Sequence, residues 1–445
     1  MSVKESFAIG ARRHGRIRPL DHPRSFPYLI ALCALLIFSV LAFGAVETWS
    51  ISILEICTAL LFTVMLVHRT GFSGVQVRWN PLYPPMVGFA TVAAIQLILN
   101  LTAYRYETLL VCLQYCAYGM LLFATAQIAG GERSAKLLVL TLGVFGSAVA
   151  LFAISQNLSS TLRIYWLRMP STDASIFGPY VNHDHYAGLM ELLTPLALVL
   201  SLSTLVRGGQ RILAAFAAVV MAGSIVLSLS RGGAISLVAE LSLLFWMVCR
   251  DQKGTPALPR MLLLVLAVLA FLALTGSPVM WHHLGHLQDA LRVDILRDSL
   301  RMFARKPLFG WGLGTFQNVY PGFRSFYSHF FINAAHNDYM QVLVETGLVG
   351  FSCVVWFVVT LYRSGLRRFG RGEQNWEDVL RAATLVGCTG ILVHSLSDFN
   401  LQIPANAALF YVFCALATGS PRTAETSTSG GIRVYPGEPL IESLL

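Results

Sequence analysis

The chain has 445 residues, of which 55% are hydrophobic and 12% charged, with a formal net charge of +9. A soluble protein carries roughly 25% charged residues, so this composition excludes an ordinary soluble domain. The positive balance alone would fit nucleic acid, but basic loops on the cytoplasmic face of a membrane protein account for it without such a partner.

The apolar runs are roughly 18–22 residues long, enough to cross a bilayer core of about 30 Å as helix. A membrane β-barrel would instead show alternating segments of about ten residues. The eight cysteines form no CxxC pair, which predicts neither a disulfide framework nor a zinc site. The predicted fold is all-α, a polytopic integral membrane protein.

Residues 1–26 carry Lys4, Arg12, Arg13, Arg16, Arg18 and Arg24 but no apolar core region and no small-residue cleavage site. They read as a cytoplasmic basic arm rather than a signal peptide. Spans are predicted at about 27–44, 50–67, 82–100, 108–129, 135–156, 185–206, 211–229, 232–249, 261–277, 337–361, 379–396 and 404–419. Twelve spans put both termini on one side, and residues 420–445, rich in Ser, Thr, Gly and Pro, are predicted to be disordered. With the N-terminus inside, most of the 32 Lys and Arg fall on the inner side, among them Arg207, Arg211, Arg250, Lys253, Arg363, Arg367, Arg368 and Arg371. The organisation expected is an arm (1–26), nine spans (27–277), a long external loop (278–336), three spans (337–419) and a tail.

Three polar stretches stand at the outer ends of spans. In the first, SLSRGGA, Arg231 sits between two apolar runs, with Gly232 and Gly233 allowing a tight turn. Arg231 is either a snorkelling interfacial arginine or an anion-binding group facing a cavity. In the second, FGPYVNHDHYAG, the residues Asn182, His183, Asp184 and His185 could line a sugar-binding cavity. Two histidines at i and i+2 do not share a helix face, so metal binding is not expected there. The third holds Asp398, in SLSDFNLQIPANA, whose role the sequence leaves open.

The 278–336 loop allows a sharper argument. Residues 290–305 should form an amphipathic helix. With Arg292 at zero and about 100° per residue, Val293, Ile295, Leu296, Leu300, Met302 and Phe303 share its side. Asp294, Arg297, Asp298, Arg301 and Arg305 lie opposite and read as a solvated face with local ion pairs. An arginine among apolar residues needs a partner, either a protein carboxylate or a ligand phosphate. Lys306-Pro307 ends this helix. The glycines of FGWGLGTF lack the spacing of a phosphate loop, so nucleotide binding is discounted.

His336 opens the span that follows the loop, with Asn337 and Asp338 next to it. Imidazole titrates near neutrality, which suits proton transfer. Glu345 lies nine residues on, about 13 Å deeper along the helix, and is expected to partner an arginine or cap a neighbouring helix.

SLSRGGA, RKPLFGWGLGTF and AAHNDYMQVLVETGLVG together resemble the signature of the O-antigen ligase and O-antigen polymerase superfamily. GPYVNHDHYAG and DFNLQIPANA are similar to stretches of a bacterial, O-antigen ligase-like branch. The resemblance implies a metal-independent, inverting glycosyltransferase of the bacterial inner membrane with its active site facing the periplasm. It implies transfer of a glycan from an undecaprenyl-diphosphate carrier to a hydroxyl of lipid A–core, or, in the polymerase alternative, of a second carrier-linked glycan. By motif it assigns the diphosphate to Arg231 and Arg292 and the acceptor hydroxyl to His336, with Asn337, Asn182, His183, His185 and Asp398 as substrate-binding candidates. No cofactor, metal or nucleotide is implied. A lipid-glycan flippase or transporter is the rival from another class. Such a protein would show matching halves and charges near the bilayer midplane.

Overall fold

The structure, a computed structural model, describes residues 25–70, 77–159, 163–169, 175–250, 257–275, 289–329, 331–367 and 375–419. The tail, nearly all of the basic arm and the start of the external loop lie outside the described residues. The elements in chain order are α1 (Phe26–Leu41), α2 (Thr48–Thr70), α3 (Tyr83–Ile98), α4 (Arg105–Ile128), α5 (Glu132–Leu158), α6 (His183–Leu202) and α7 (Gly209–Leu227). They continue as α8 (Arg231–Arg250), α9 (Ala257–Thr275), α10 (Asp289–Arg305), α11 (Phe316–Val319), α12 (Asp338–Leu366), α13 (Trp376–His394) and α14 (Pro404–Thr418). Among the described residues the fold is all-helical, and each apolar run predicted as a span is a helix over its described part. Seven helices among the described residues, α2, α4, α5, α6, α7, α8 and α12, are long and apolar enough to cross a membrane.

Local sequence fixes where these helices start. Asn182, Asn337 and Asn375 are N-caps whose side chains accept from the backbone N–H of Asp184 (2.8 Å), Met340 (2.9 Å) and Asp378 (2.8 Å). Proline stands in the first turn of α1, α3 and α14, where its missing N–H costs nothing.

Helix α6 is the axis of the bundle. Its whole apolar window is buried, against α7, α13, α8 and α5. Exposed apolar side chains lie on the peripheral helices instead, such as Ile56, Leu60 and Val67 on α2, and Ile212 and Leu213 on α7. Apolar surface of this extent on a helical bundle fits lipid, because helices satisfy their own backbone groups.

A second, smaller core joins the polar interval to α12. It contains Ile295 and Met302 of α10, Phe316, Tyr320, Ile332, Ala335 and Val344. The glycine-rich turn clasps a kink in α12. At that kink Gly347 has φ 65°, and its N-terminal neighbours Val344 and Glu345 accept from the backbone N–H groups of Trp311 (3.1 Å) and Gly312 (2.9 Å). Gly310 has φ 69° and lies against the backbone of Glu345 and Thr346, so any side chain there would collide with main chain.

The helix predicted at 290–305 is α10, but its faces differ from the helical-wheel reading. Asp298 is 0% exposed rather than solvated. Its carboxylate accepts from Ser325 N (2.9 Å), Ser325 Oγ (3.1 Å) and Arg301 (3.0 Å), because the chain after α11 folds back over that side of the helix. Val293 and Leu300, predicted to face inward, are exposed. The buried stripe is centred near Ile295 and Met302, about 70° from Arg292. Arg292 therefore stands at the edge of the buried face. Arg297 and Arg301 remain exposed, as expected.

Candidate functional site

The predicted site residues come from five separate places in the chain. Asn182, His183, Asp184 and His185 form the start of α6, and Arg231 opens α8 after a turn in which Leu229 has φ 65°. Arg292 lies in the first turn of α10, His336 precedes the cap of α12, and Asp398 follows α13.

His336 and Asp398 are brought together. His336 Nδ1 lies 3.3 Å from Asp398 Oδ1, and the imidazole packs edge-on against Phe399, with ring centres 5.1 Å apart. His336 holds φ 50°, a left-handed conformation uncommon for a residue with a side chain, and its side chain is 31% exposed. A proton on Nδ1 directed at the carboxylate leaves Nε2 as the acceptor nitrogen. Asp398 is 1% exposed, and its Oδ1 also accepts from Phe399 N (2.9 Å). Burial works against its charge, yet the His336 hydrogen bond and the nearby His185, His336 and His394 hold this carboxyl well below the usual carboxylate range.

Arg292 reaches the same segment from the other side. Its guanidinium donates to the carbonyl oxygen of Ser397 (3.0 Å) and lies 3.7 Å from Asp184 Oδ2. Its side chain is 40% exposed, so it has both protein partners and an open side. Asp184 accepts in turn from Ser230 Oγ (2.6 Å), and Ser230 Oγ accepts from Gly233 N (3.0 Å) in the first turn of α8. Asp184 thereby links the arginine of α10 to the turn that carries Arg231.

The remaining predicted residues are distributed less evenly. The side chains of Asn182 and Asn337 are engaged as helix caps, and Asn337 also donates to Leu396 O (2.8 Å). His185 is buried with its ring edge-on to Phe399 (4.7 Å), the ring that His336 also packs against, and its Nε2 has no hydrogen-bond partner among the described residues. His183 is half-buried, with Nε2 3.9 Å from Asp184. Glu345 is a cap. Its carboxylate accepts from Gly314 N (2.8 Å) and Phe316 N (3.1 Å), at the start of α11. A shallow apolar recess lined by Val238, Leu241, Ser242, Phe245 and Met261 includes none of the predicted site residues.

Sequence reasoning passed over His394, Glu191 and Ser230. His394 Nδ1 lies 2.7 Å from Glu191 Oε1, and its Nε2 lies 3.4 Å from Ser230 Oγ. One ligand-type atom from each of Asp184, His394 and Asp398 lies within 4.8 Å of the others, so among the described residues these could hold a cation. The available signal was Glu191 itself, a carboxylate inside a span-length apolar helix, where ionisable groups are rarely idle.

The arrangement offers a guanidinium, a half-exposed imidazole held by a carboxylate, and a second arginine at the adjoining turn. Guanidinium supplies permanent charge and paired hydrogen bonds to phosphate. The imidazole suits proton transfer at neutral pH. Residues 216–355 match the family model described as O-Antigen ligase. The matched stretch contains Arg231, Arg292, the glycine-rich clasp and His336, and it leaves out α6 and Asp398. No curated protein matches the chain closely enough to count as a relative. With its apolar helices, this match makes the chain a multi-pass membrane protein, and it supports the O-antigen ligase-like superfamily as the family of the segment from α7 to α12.

Proposed function

We propose that the protein transfers a glycan from an undecaprenyl-diphosphate carrier to an acceptor hydroxyl, as an O-antigen ligase whose acceptor is lipid A–core. The observation that carries this reading is the convergence of Arg292 and His336 on neighbouring residues, Ser397 and Asp398. As the glycosidic bond breaks, charge builds on the diphosphate, and Arg292 and Arg231 are the groups to stabilise it. The attacking hydroxyl loses its proton to Nε2 of His336, while Asp398 accepts the hydrogen bond from Nδ1–H and balances the imidazolium formed. General-base assistance of this kind is worth about 10²–10⁴ in rate. The donor arrives activated, so no nucleotide is required, and direct displacement inverts the anomeric centre. His183 and His185 border the acceptor side.

The twelve-span layout belongs to the same reading. In it both termini are cytoplasmic, the 278–336 loop is periplasmic, and the site lies at the outer boundary of the inner membrane, where a lipid carrier can reach it. The test is single-turnover transfer by His336→Gln, with donor affinity measured separately. Glutamine keeps a hydrogen bond but takes no proton near neutral pH. Loss of about 10²-fold or more at unchanged donor affinity is expected. Near-wild-type turnover would remove the base assignment, and loss of donor affinity alone would move His336 into the diphosphate site.

A further inference from the structure

We propose that His394, propped by Glu191, is the positioning residue that holds the Arg292 and His336 arms at a fixed separation. The inference rests on the glycan-transfer reading and deepens it.

Arg292 faces Asp184, and His336 is held by Asp398. These two carboxylates share a largely buried space with His394, with one ligand-type atom from each of the three within 4.8 Å of the others. Below the ring, Glu191 Oε1 is 2.7 Å from Nδ1. Above it, Ser230 Oγ is 3.4 Å from Nε2 and passes its own proton to Asp184 Oδ1 (2.6 Å). Hydrogen-bonded to Glu191 through one nitrogen and to Ser230 through the other, the ring is fixed in place and satisfies one oxygen of Glu191, which is 0% exposed.

The hub also touches the third candidate. Gly232, directly after Arg231, lacks the Cβ that would collide with the His394 ring, so the turn opening α8 sits on that ring. Beneath Glu191, the Glu240 side chain fills the space left by Gly390, whose absent Cβ would lie 3.1 Å from the Glu191 Cβ. A polar column thus descends from the site into the bundle, and His394 is its upper end.

The experiment compares His394→Gln, Glu191→Gln and the double variant with wild type, in the full-length purified protein. His394→Gln should lower kcat about tenfold or more at nearly unchanged donor KM, as expected for misplaced catalytic groups. Glu191→Gln should fall in the same direction, and the double variant should be no worse than His394→Gln alone, because Glu191 acts through the ring. Multiplying losses, or losses confined to thermal stability with kcat per folded molecule intact, would overturn the proposal. A readout free of substrate separates this from failure of the glycan-transfer reading. Carbethoxylation of His336 by diethyl pyrocarbonate, followed by mass spectrometry, should change in rate several-fold in His394→Gln; an unchanged rate would overturn the proposal even if no transfer is seen with any acceptor. A stoichiometric divalent metal in the purified protein, whose removal reproduces the His394→Gln behaviour, would overturn it too.

Discussion

The Arg292 guanidinium donates to the carbonyl oxygen of Ser397 at 3.0 Å, and the next residue, Asp398, accepts from His336. A cation and a base from opposite ends of the polar interval are thus fixed to two consecutive residues. A leaving diphosphate and an attacking hydroxyl need such groups at short range.

Arg292→Ala should abolish transfer while leaving the protein folded and inserted. Arg292→Lys should rescue poorly, since an ammonium lacks the planar fork. Arg297→Ala should be nearly silent, because Arg297 is exposed and pairs with Asp294 within its own helix (3.1 Å). Turnover assays of the three variants check this, and equal losses at 292 and 297 would contradict it.

Asp398→Asn should lower turnover by about 10²-fold or more, because the amide neither balances the imidazolium nor fixes its Nδ1 proton. The same variant makes a pH prediction. The Asp398 carboxyl is held below its ordinary value of about 4, so its contribution to stability is present above that pH and is lost as pH falls through the lower folded value. The stability gap between wild type and Asp398→Asn should therefore persist at pH 5 and begin to close only below about pH 4. Thermal unfolding in detergent across that range measures it.

Gly310→Ala should destabilise the protein by about 1–3 kcal/mol or more, since alanine resists the left-handed conformation and its Cβ meets the backbone of Glu345. The glycine-rich clasp fastens α10 to the α12 kink, so thermal stability should fall together with turnover. An unchanged melting temperature would contradict the clasp.

The helices were legible because apolar runs of span length are a strong local signal, and capping asparagines and first-turn prolines mark their starts. The direction of Arg292 was legible only in part. The angular argument placed it with the apolar residues, but it had no knowledge of the chain that folds over Asp298, so it put the buried face about 70° from its true centre. The His336–Asp398 pair joins residues 62 apart, and the Glu191–His394 pair joins residues 203 apart. Each member was visible singly as a polar residue at or inside an apolar span. Their pairing is tertiary, set by how α13 lies against α6 for Glu191–His394 and by how the start of α12 meets the segment after α13 for His336–Asp398, and no local periodicity encodes it. The glycines of FGWGLGTF looked like a bare turn, because their partner is the kink at Gly347, in a different segment.

Topology is tested in a cysteine-free background. Ser328→Cys should be labelled from outside by an impermeant thiol reagent, and Ser364→Cys only after permeabilisation. The reverse pattern would put the polar site on the cytoplasmic face and remove its access to an outward-facing carrier.

The most direct test of the central claim is reconstitution. The purified full-length protein is incubated with an undecaprenyl-diphosphate-linked glycan and lipid A–core, and both the extended acceptor and the freed undecaprenyl diphosphate are measured. Equal amounts of the two products are expected, formed without any nucleotide-sugar and only when acceptor is present. Intact donor, with neither product formed on lipid A–core or on a second carrier-linked glycan, would contradict it.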